Sequence, residues 1–532
     1  MRHTFIGVLI TLSLSLPVAA LQESIDLNIV NKIRDEGFHR SQVMDTLSYL
    51  SDEIGPRLTG SPALREANRW TAKKLGEWGL ANAHSEGFNF GPGWTPNHAY
   101  VHMTSPKKLQ LYALPIAWHP GTDGVLEGEI FYAPMKSKKD FEKYDGLLTG
   151  KIVLVDKIRA QKPPSEKVFR RHDEAALSKS EKFKIPKKNG AESQEKWVNY
   201  LSFHYEREQF LAEQGAIAMI RISPRGDMLI EASNYQFKKG MLPKIPAMQM
   251  ASDHYNQLVR TQKRDHVVSL TMDIDVTYHT DDMQSYSTFA EIPGRGRHPE
   301  IVMAGGHLDS WLIGTGATDD GAGVAVVMEA VRILKAIGVK PVRTIRIGLW
   351  GGEEQGYYGS QQYVMDHLAD RPTNTDPTLK YMGPYERHYN QFPITPKDGY
   401  ERFSVYFNLD NGGGKIRGVY AEGNVAAAAI FQDWLKPFHD LGAKTVSTNT
   451  TGGTDHEPFD DIGLPGFQFI QDPLDYGSRT HHTQVDVFDK IYADDMKQAS
   501  VIMATFLYNA AMRTDRFPRK PAPQPTIQNT ND

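Results

Sequence analysis

The stretch 301-IVMAGGHLDSWLIGTGATDDGAGVAVVMEAVRILKAI-337 decides how this chain folds. It opens on Ile301-Val302-Met303, an apolar run suited to a strand. A glycine-rich loop with His307, Asp309 and Asp319 follows, and then Val324, Val327, Val331 and Leu334 recur at helical spacing, which predicts a helix over Gly321 to Ile337. The same alternation recurs downstream. Thr344 to Trp350 reads as a strand ending at Gly351-Gly352-Glu353-Glu354, Val405 to Leu409 as a strand ending at Asp410, and Val425 to Leu441 as a helix. Phe467 to Ile470 reads as a further strand, and Asp494 to Ala511 as a closing helix. Alternating strands and helices predict an α/β unit over residues 281–513, a mostly parallel sheet flanked by helices.

Ligands of open α/β sheets gather at the carboxyl ends of the strands. His307, Glu353, Glu354 and Asp410 each lie just past an apolar run, so separate strands bring them to one edge. Asp319 in the loop and His482 in Arg479-Thr-His-His-Thr-Gln-Val-Asp486 add to the set. Any one of these segments alone is ordinary loop polarity. Together they supply the carboxylates and imidazoles that zinc takes in hydrolytic sites, enough for two Zn2+ ions, although other divalent transition metals suit similar shells. His307 can bind one ion, with Asp309 accepting its other N–H. Asp319 can bridge two ions, and Asp410 and His482 complete the shells. Glu353 and Glu354 are adjacent and cannot point the same way. One can ligate while the other faces the substrate as general base to a metal-activated water.

The rest of the chain frames this unit. With 532 residues and 40% hydrophobic content it is too long for one ordinary domain. A formal net charge of -4 gives no reason to expect nucleic acid or an anionic membrane as partner. Residues 1–20 read as a signal peptide: Arg2 and His3, an apolar run from Phe5 to Leu16, and Val18-Ala19-Ala20 before the cut. Export to the periplasm or the medium is therefore expected, without stable membrane insertion, and zero cysteines exclude disulfides and thiolate zinc sites. Residues 21–114 read as the N-terminal part of the catalytic unit, with helices on either side of Gly55-Pro-Arg-Leu-Thr-Gly-Ser61 and Ser61 as an N-cap. Residues 115–280 shift to short strands and turns and hold none of the metal-type segments. The tail, 514–532, is rich in Pro, Asn and Thr and is expected to be disordered.

The order and spacing of Phe-Ala-Glu-Ile-Pro-Gly294, Gly-Gly-His-Leu-Asp-Ser-Trp311, Ala-Thr-Asp-Asp-Gly-Ala-Gly323, Gly-Gly-Glu-Glu-Gln-Gly356 and Asn-Leu-Asp-Asn411 resemble the co-catalytic di-zinc exopeptidase family, nearest to its carboxypeptidase Q members. The resemblance implies that His307 and Asp410 hold one zinc, that Glu354 and His482 hold the other, and that Asp319 bridges. It makes Glu353 the proton shuttle and the Asp319–Asp320 peptide cis. His481 stands where some relatives carry an oxyanion-stabilising tyrosine, so it is a candidate for that role or for substrate contact. Glu-Gln-Gly-Ala-Ile-Ala-Met219 and Lys-Ile-Pro-Ala-Met248 make the middle block similar to the β-rich α+β protease-associated domain inserted in some members. Such an insertion is expected to wall the substrate cleft. The long segment Asp366 to Glu401, rich in proline and tyrosine, is expected to form a lid or a homodimer contact.

The implied activity is a zinc-dependent metallopeptidase that cleaves terminal bonds of peptides or dipeptides. Amino-, carboxy- and dipeptidase specificity stay open. A related zinc amidohydrolase or cyclase and a receptor-like binding protein are the alternatives.

Overall fold

The computed structural model describes residues 23–160, 167–185, 190–235, 237, 240–295 and 299–525. The expected signal peptide lies outside the described residues. Two eight-stranded mixed sheets organise the chain.

The first sheet runs in the order Ala81–Asn89, Gln284–Ile292, Thr344–Trp350, Ile301–His307, Phe403–Asn408, Gly466–Gln471, Ile416–Tyr420, Thr445–Ser447. Its centre is parallel: Thr344–Trp350 beside Ile301–His307, then Phe403–Asn408, then Gly466–Gln471. The strands at its Ala81 edge pair antiparallel. All of Ile301–His307 and Phe403–Asn408 is buried, which is why these strands read as continuous apolar runs. The helix Ala322–Ala336 packs between the sheet and the closing helix Ala493–Met512, and every residue from Ala322 to Leu334 is buried. A helix buried on all sides needs such a sandwiched position, and its two charged residues in that stretch, Glu329 and Arg332, pair with each other. The helix Pro62–Glu77 starts at Ser61, whose hydroxyl accepts from Leu64 N at 3.2 Å, with proline in the first turn.

The second sheet runs Leu109–Gln110, Gly93–Ser105, Ser269–His279, Leu126–Tyr132, Ile152–Leu154, Ala218–Ile222, Ala247–Met250, Ala113–Pro115. Gly93–Ser105 lies upstream of the boundary expected at residue 115, yet it pairs with Ser269–His279 along its length. Its exposed face carries polar residues, so the strand lacks the apolar run that marked the others. A long helix, Gly190–Glu213, covers this sheet, although the sequence of the middle block reads mainly as short strands and turns.

The C-terminal segment differs from expectation through residue 525. Phe517 is buried among Phe407, Phe431, Trp434 and Phe467. Arg513 pairs with Glu23, and Arg519 donates to the carbonyls of Tyr400 and Phe403. Composition alone reads the segment as a solvated tail, but one aromatic anchor and two arginines hold it to the catalytic unit.

Candidate active site

The strand ends deliver the expected residues to one place. His307 ends its strand, Glu353 and Glu354 follow Thr344–Trp350, and Asp410 follows Phe403–Asn408. Asp319 sits in the turn Ala317–Gly321, whose Asp319–Asp320 peptide is cis. Gly323 opens the following helix, and a Cβ there would collide with the Leu409 carbonyl beside Asp410. Glycine thus lets the helix start close against the strand end that carries a candidate ligand.

Asp319 stands between two imidazoles. Its Oδ1 is 3.1 Å from His307 Nε2, and its Oδ2 is 3.1 Å from His482 Nε2. Asp410 Oδ1 lies 3.7 Å from His307 Nε2, and Glu354 Oε2 lies 2.9 Å from His482 Nε2. The ligating atoms of His307, Asp319 and Glu354 lie within 4.8 Å of one another, as do those of Asp319, His481 and His482, and of His307, Asp320 and Asp410. Asp320 is already engaged: His307 N donates to its Oδ2 at 3.2 Å and Gly323 N to its Oδ1 at 3.1 Å. Burial, with Asp410 next, also pushes its carboxyl well above the usual range.

The acids are crowded and dry. Burial raises Glu353 well above an ordinary carboxyl, the His307 imidazole opposing and Asp410 adding to the rise. Burial pushes Glu354 up to about 7, with His482 opposing. His307 and His482 are both raised despite burial, by the carboxylates around them: Asp410 and Glu353 for the first, Glu354 for the second. Glu354 Oε1 is buried without a hydrogen bond, and Asp319 Oδ2 has only its ion pair with His482. Unpaired buried carboxylate oxygens are costly, and a divalent cation is the partner that offsets such a cost. The donor set, oxygen and imidazole nitrogen without sulfur, fits zinc.

Asp309 departs from its expected role. The His307 Nδ1 meets the Asp309 backbone carbonyl at 3.0 Å, while the carboxylate stands off at 3.6 Å. The carboxylate instead accepts from Glu353 N at 3.2 Å, Glu354 N at 3.3 Å and the Thr59 hydroxyl at 2.8 Å. It therefore fixes the backbone of the two glutamates. Two amides and a hydroxyl compete better for an anion than a ring N–H already facing a carbonyl.

Several neighbours were invisible in the sequence. Ser233 Oγ and Tyr235 Oη lie 3.1 and 3.0 Å from His482 Nδ1, from a segment some 250 residues away. Arg225 donates to the carbonyls of Gly477 and His481. Asp455 is fully buried, bonded by the Ser360 hydroxyl, and pushed up to about 8 by burial. Arg57, inside the quoted Gly-Pro-Arg motif, is also fully buried. Its guanidinium donates to the carbonyls of Leu308, Leu50, Gly55, Thr315 and Gly316, bracing both ends of the loop before Asp319. That motif, and Gly453-Thr-Asp455 for Asp455, were the available signals.

A cavity of about 440 Å³ opens over the cluster, lined among others by Trp197, Leu201, Tyr235, Glu353, Glu386 and Tyr476. Trp197 and Leu201 come from the long helix over the second sheet, and Glu386 from the Asp366–Glu401 segment. Leu201 and Val198 join Leu379, Tyr381 and Met382 in one apolar cluster, so these two parts of the chain close one wall.

A fold and cluster of this kind define a metal-dependent hydrolase of peptide-sized ligands. Residues 287–507 match peptidase family M28, and with this site the chain is a metal-dependent exopeptidase. It is 25% identical over 494 residues to carboxypeptidase Q of Mus musculus, covering 91% of this chain and 88% of that one. The crystal structure of a peptidase M28 precursor from Shewanella amazonensis shares the fold, with a TM-score of 0.66 at 24% identity over 93% of this chain and 98% of that one. BSAP, a zinc aminopeptidase from Bacillus subtilis, gives 0.57 at 21% identity over 90% and 97%.

Proposed function

We propose that the chain is a zinc-dependent exopeptidase that works with two ions held side by side, cleaving peptides or dipeptides at a chain end. The observation that carries this is Asp319, with one carboxylate oxygen turned to each of two histidines. His307 and Asp410 would hold one zinc and Glu354 and His482 the other, with Asp319 shared. Bound there, the two ions would polarise the scissile carbonyl and make a water acidic enough to attack at neutral pH. Glu353 faces the same cavity, and among the described residues no imidazole pairs with it. It is the base that takes the proton as the water's C–O bond forms. It then gives that proton to the departing nitrogen as the C–N bond breaks.

The middle block supplies the cleft wall through Trp197, Leu201 and Tyr235. The Asp366–Glu401 segment adds to that wall through Glu386. Export through residues 1–20 completes the reading, and a secreted product whose first residue is Leu21 is the expected result of terminal sequencing.

The test is Glu353→Gln with metal analysis. The variant should keep two zinc ions per chain while turnover of unblocked dipeptides falls roughly 10²–10⁴-fold. A wild-type chain that saturates at one ion would favour the amidohydrolase or cyclase reading. Full turnover in the variant would remove Glu353 from the chemistry.

A further inference from the structure

Hydrolysis through a tetrahedral intermediate moves the carbonyl π pair onto oxygen, and a preorganised donor aimed at that oxygen lowers the barrier. His481 is the donor the sequence offers, but the structure places it poorly. Its ring stacks on His482 at 3.8 Å between centroids and 21° between planes.

Three tyrosines line the cavity: Tyr235, Tyr357 and Tyr476. The Tyr235 hydroxyl lies 3.0 Å from His482 Nδ1. Tyr357 bonds Glu457. Among the described residues the Tyr476 hydroxyl makes no hydrogen bond, while its ring is held firmly. That ring lies on Gly412, two residues past Asp410, where the backbone has φ +80° and any Cβ would meet the ring at about 3 Å. The edge of the same ring meets His481 at 5.0 Å and 72°. The turn Tyr476–Thr480 closes behind it as His481 N donates to the Tyr476 carbonyl at 2.9 Å. The ring lies close to Asp319, Asp410 and Glu354, and a phenol is protonated at neutral pH. A neutral O–H donor therefore sits at the mouth of the acid cluster with nothing else to bond.

We propose that Tyr476 is a catalytic residue, its O–H donating to the oxygen that gains charge when water attacks the scissile carbonyl. No proton is transferred: the phenol stays intact, and Glu353 carries the water proton to the leaving nitrogen. The proposal rests on the exopeptidase reading above.

The experiment compares Tyr476→Phe and His481→Asn with wild type. It reads kcat and KM on unblocked dipeptides, zinc content, and calorimetric affinity for a phosphinic dipeptide that mimics the tetrahedral state. Removing one such donor costs about 10²–10³ in kcat. Tyr476→Phe should show that loss with KM within about threefold, and should bind the phosphinic mimic at least about 30-fold more weakly. Its zinc content and its affinity for the product amino acid should stay as in wild type, and His481→Asn should lose less than about tenfold in kcat. Wild-type kcat and mimic affinity in Tyr476→Phe would overturn the proposal, and so would loss of zinc or product binding in step with kcat. Failure of the underlying reading would look different: a wild-type chain that cleaves none of the dipeptides, or an active Glu353→Gln.

Discussion

Replacing Arg57 by methionine should loosen the candidate metal loop without touching any proposed ligand. The guanidinium lies 2.7 Å from the Leu308 carbonyl, 3.1 Å from those of Leu50 and Gly55, 2.9 Å from Thr315 and 2.8 Å from Gly316. Burial lowers its pKa to about 10 against the pull of Asp486 and Asp309, so it stays charged at neutral pH. Two of the carbonyls keep a second partner: Gly316 O accepts from Gly321 N at 2.9 Å, and Leu50 O from Gly55 N at 3.1 Å. The other three lose the guanidinium: Leu308 and Gly55 are buried in a site that methionine leaves dry, and Thr315 is half-buried. At roughly 1–3 kcal/mol for each stripped group, the low end of the cost is about 3 kcal/mol. That cost falls on the segment between His307 and Asp319, which zinc binding would have to hold in order. At about 1.4 kcal/mol per tenfold, the expected loss of zinc affinity is about a hundredfold. Arg57→Lys, a single point donor in place of a planar fork, should lie between. Zinc competition against a chromophoric chelator measures the affinity, and amide exchange over residues 308–321 reports the loop. Zinc affinity within threefold of wild type, with unchanged amide protection, would refute the argument.

Tyr235→Phe combined with Ser233→Ala should cost about 10–100-fold in zinc affinity, because partners of a ligating histidine's second nitrogen orient the ring, and each single change should cost less; equal affinity in the double variant would sink the idea. Phe517→Ala should destabilise the chain by about 3–5 kcal/mol in urea unfolding, since its ring fills an aromatic core, and a cost near zero would mean the tail is not part of that core. Glu422 is raised to about 9 by burial, then by Asp460 and Glu457, against the Thr451 amide and Lys520, with His456 3.8 Å away. Its folded value lies above its ordinary one, so its contribution is complete below about pH 4.5 and is lost as pH rises toward 9. Glu422→Gln should therefore hold its melting temperature better than wild type between pH 7 and 9, and parallel curves would remove Glu422 as the cause.

The catalytic unit was legible because its signals are local. An apolar strand followed by a polar residue places that residue at a strand end, whatever lies elsewhere in the chain. The antiparallel edge of the first sheet was not legible, since Ala81–Asn89 is largely exposed and Gln284–Ile292, though mostly buried, opens on polar residues. Gly93–Ser105 escaped for the same reason. Asp309 shows the limit within a motif: spacing brought it near His307, but only coordinates show that the backbone carbonyl takes the ring N–H.

The middle block bears on the chemistry for a reason its own sequence does not carry. Residues 225–235 reach the loop after Asp475 at several points. Arg225 holds the carbonyls of Gly477 and His481, Ile230 N bonds the Gln484 side chain at 2.8 Å, and Glu231 bridges to Thr483. Ser233 and Tyr235 then meet His482 itself. That loop also carries Tyr476, so the proposed second zinc shell and the proposed oxyanion donor share one support. A shift of this docking would move His482 and Tyr476 together, while His307 and Asp410, anchored on the central strands, would stay. The two halves of the site thus differ in what holds them: one is fixed by the parallel sheet, the other by the insertion's grip on a single loop.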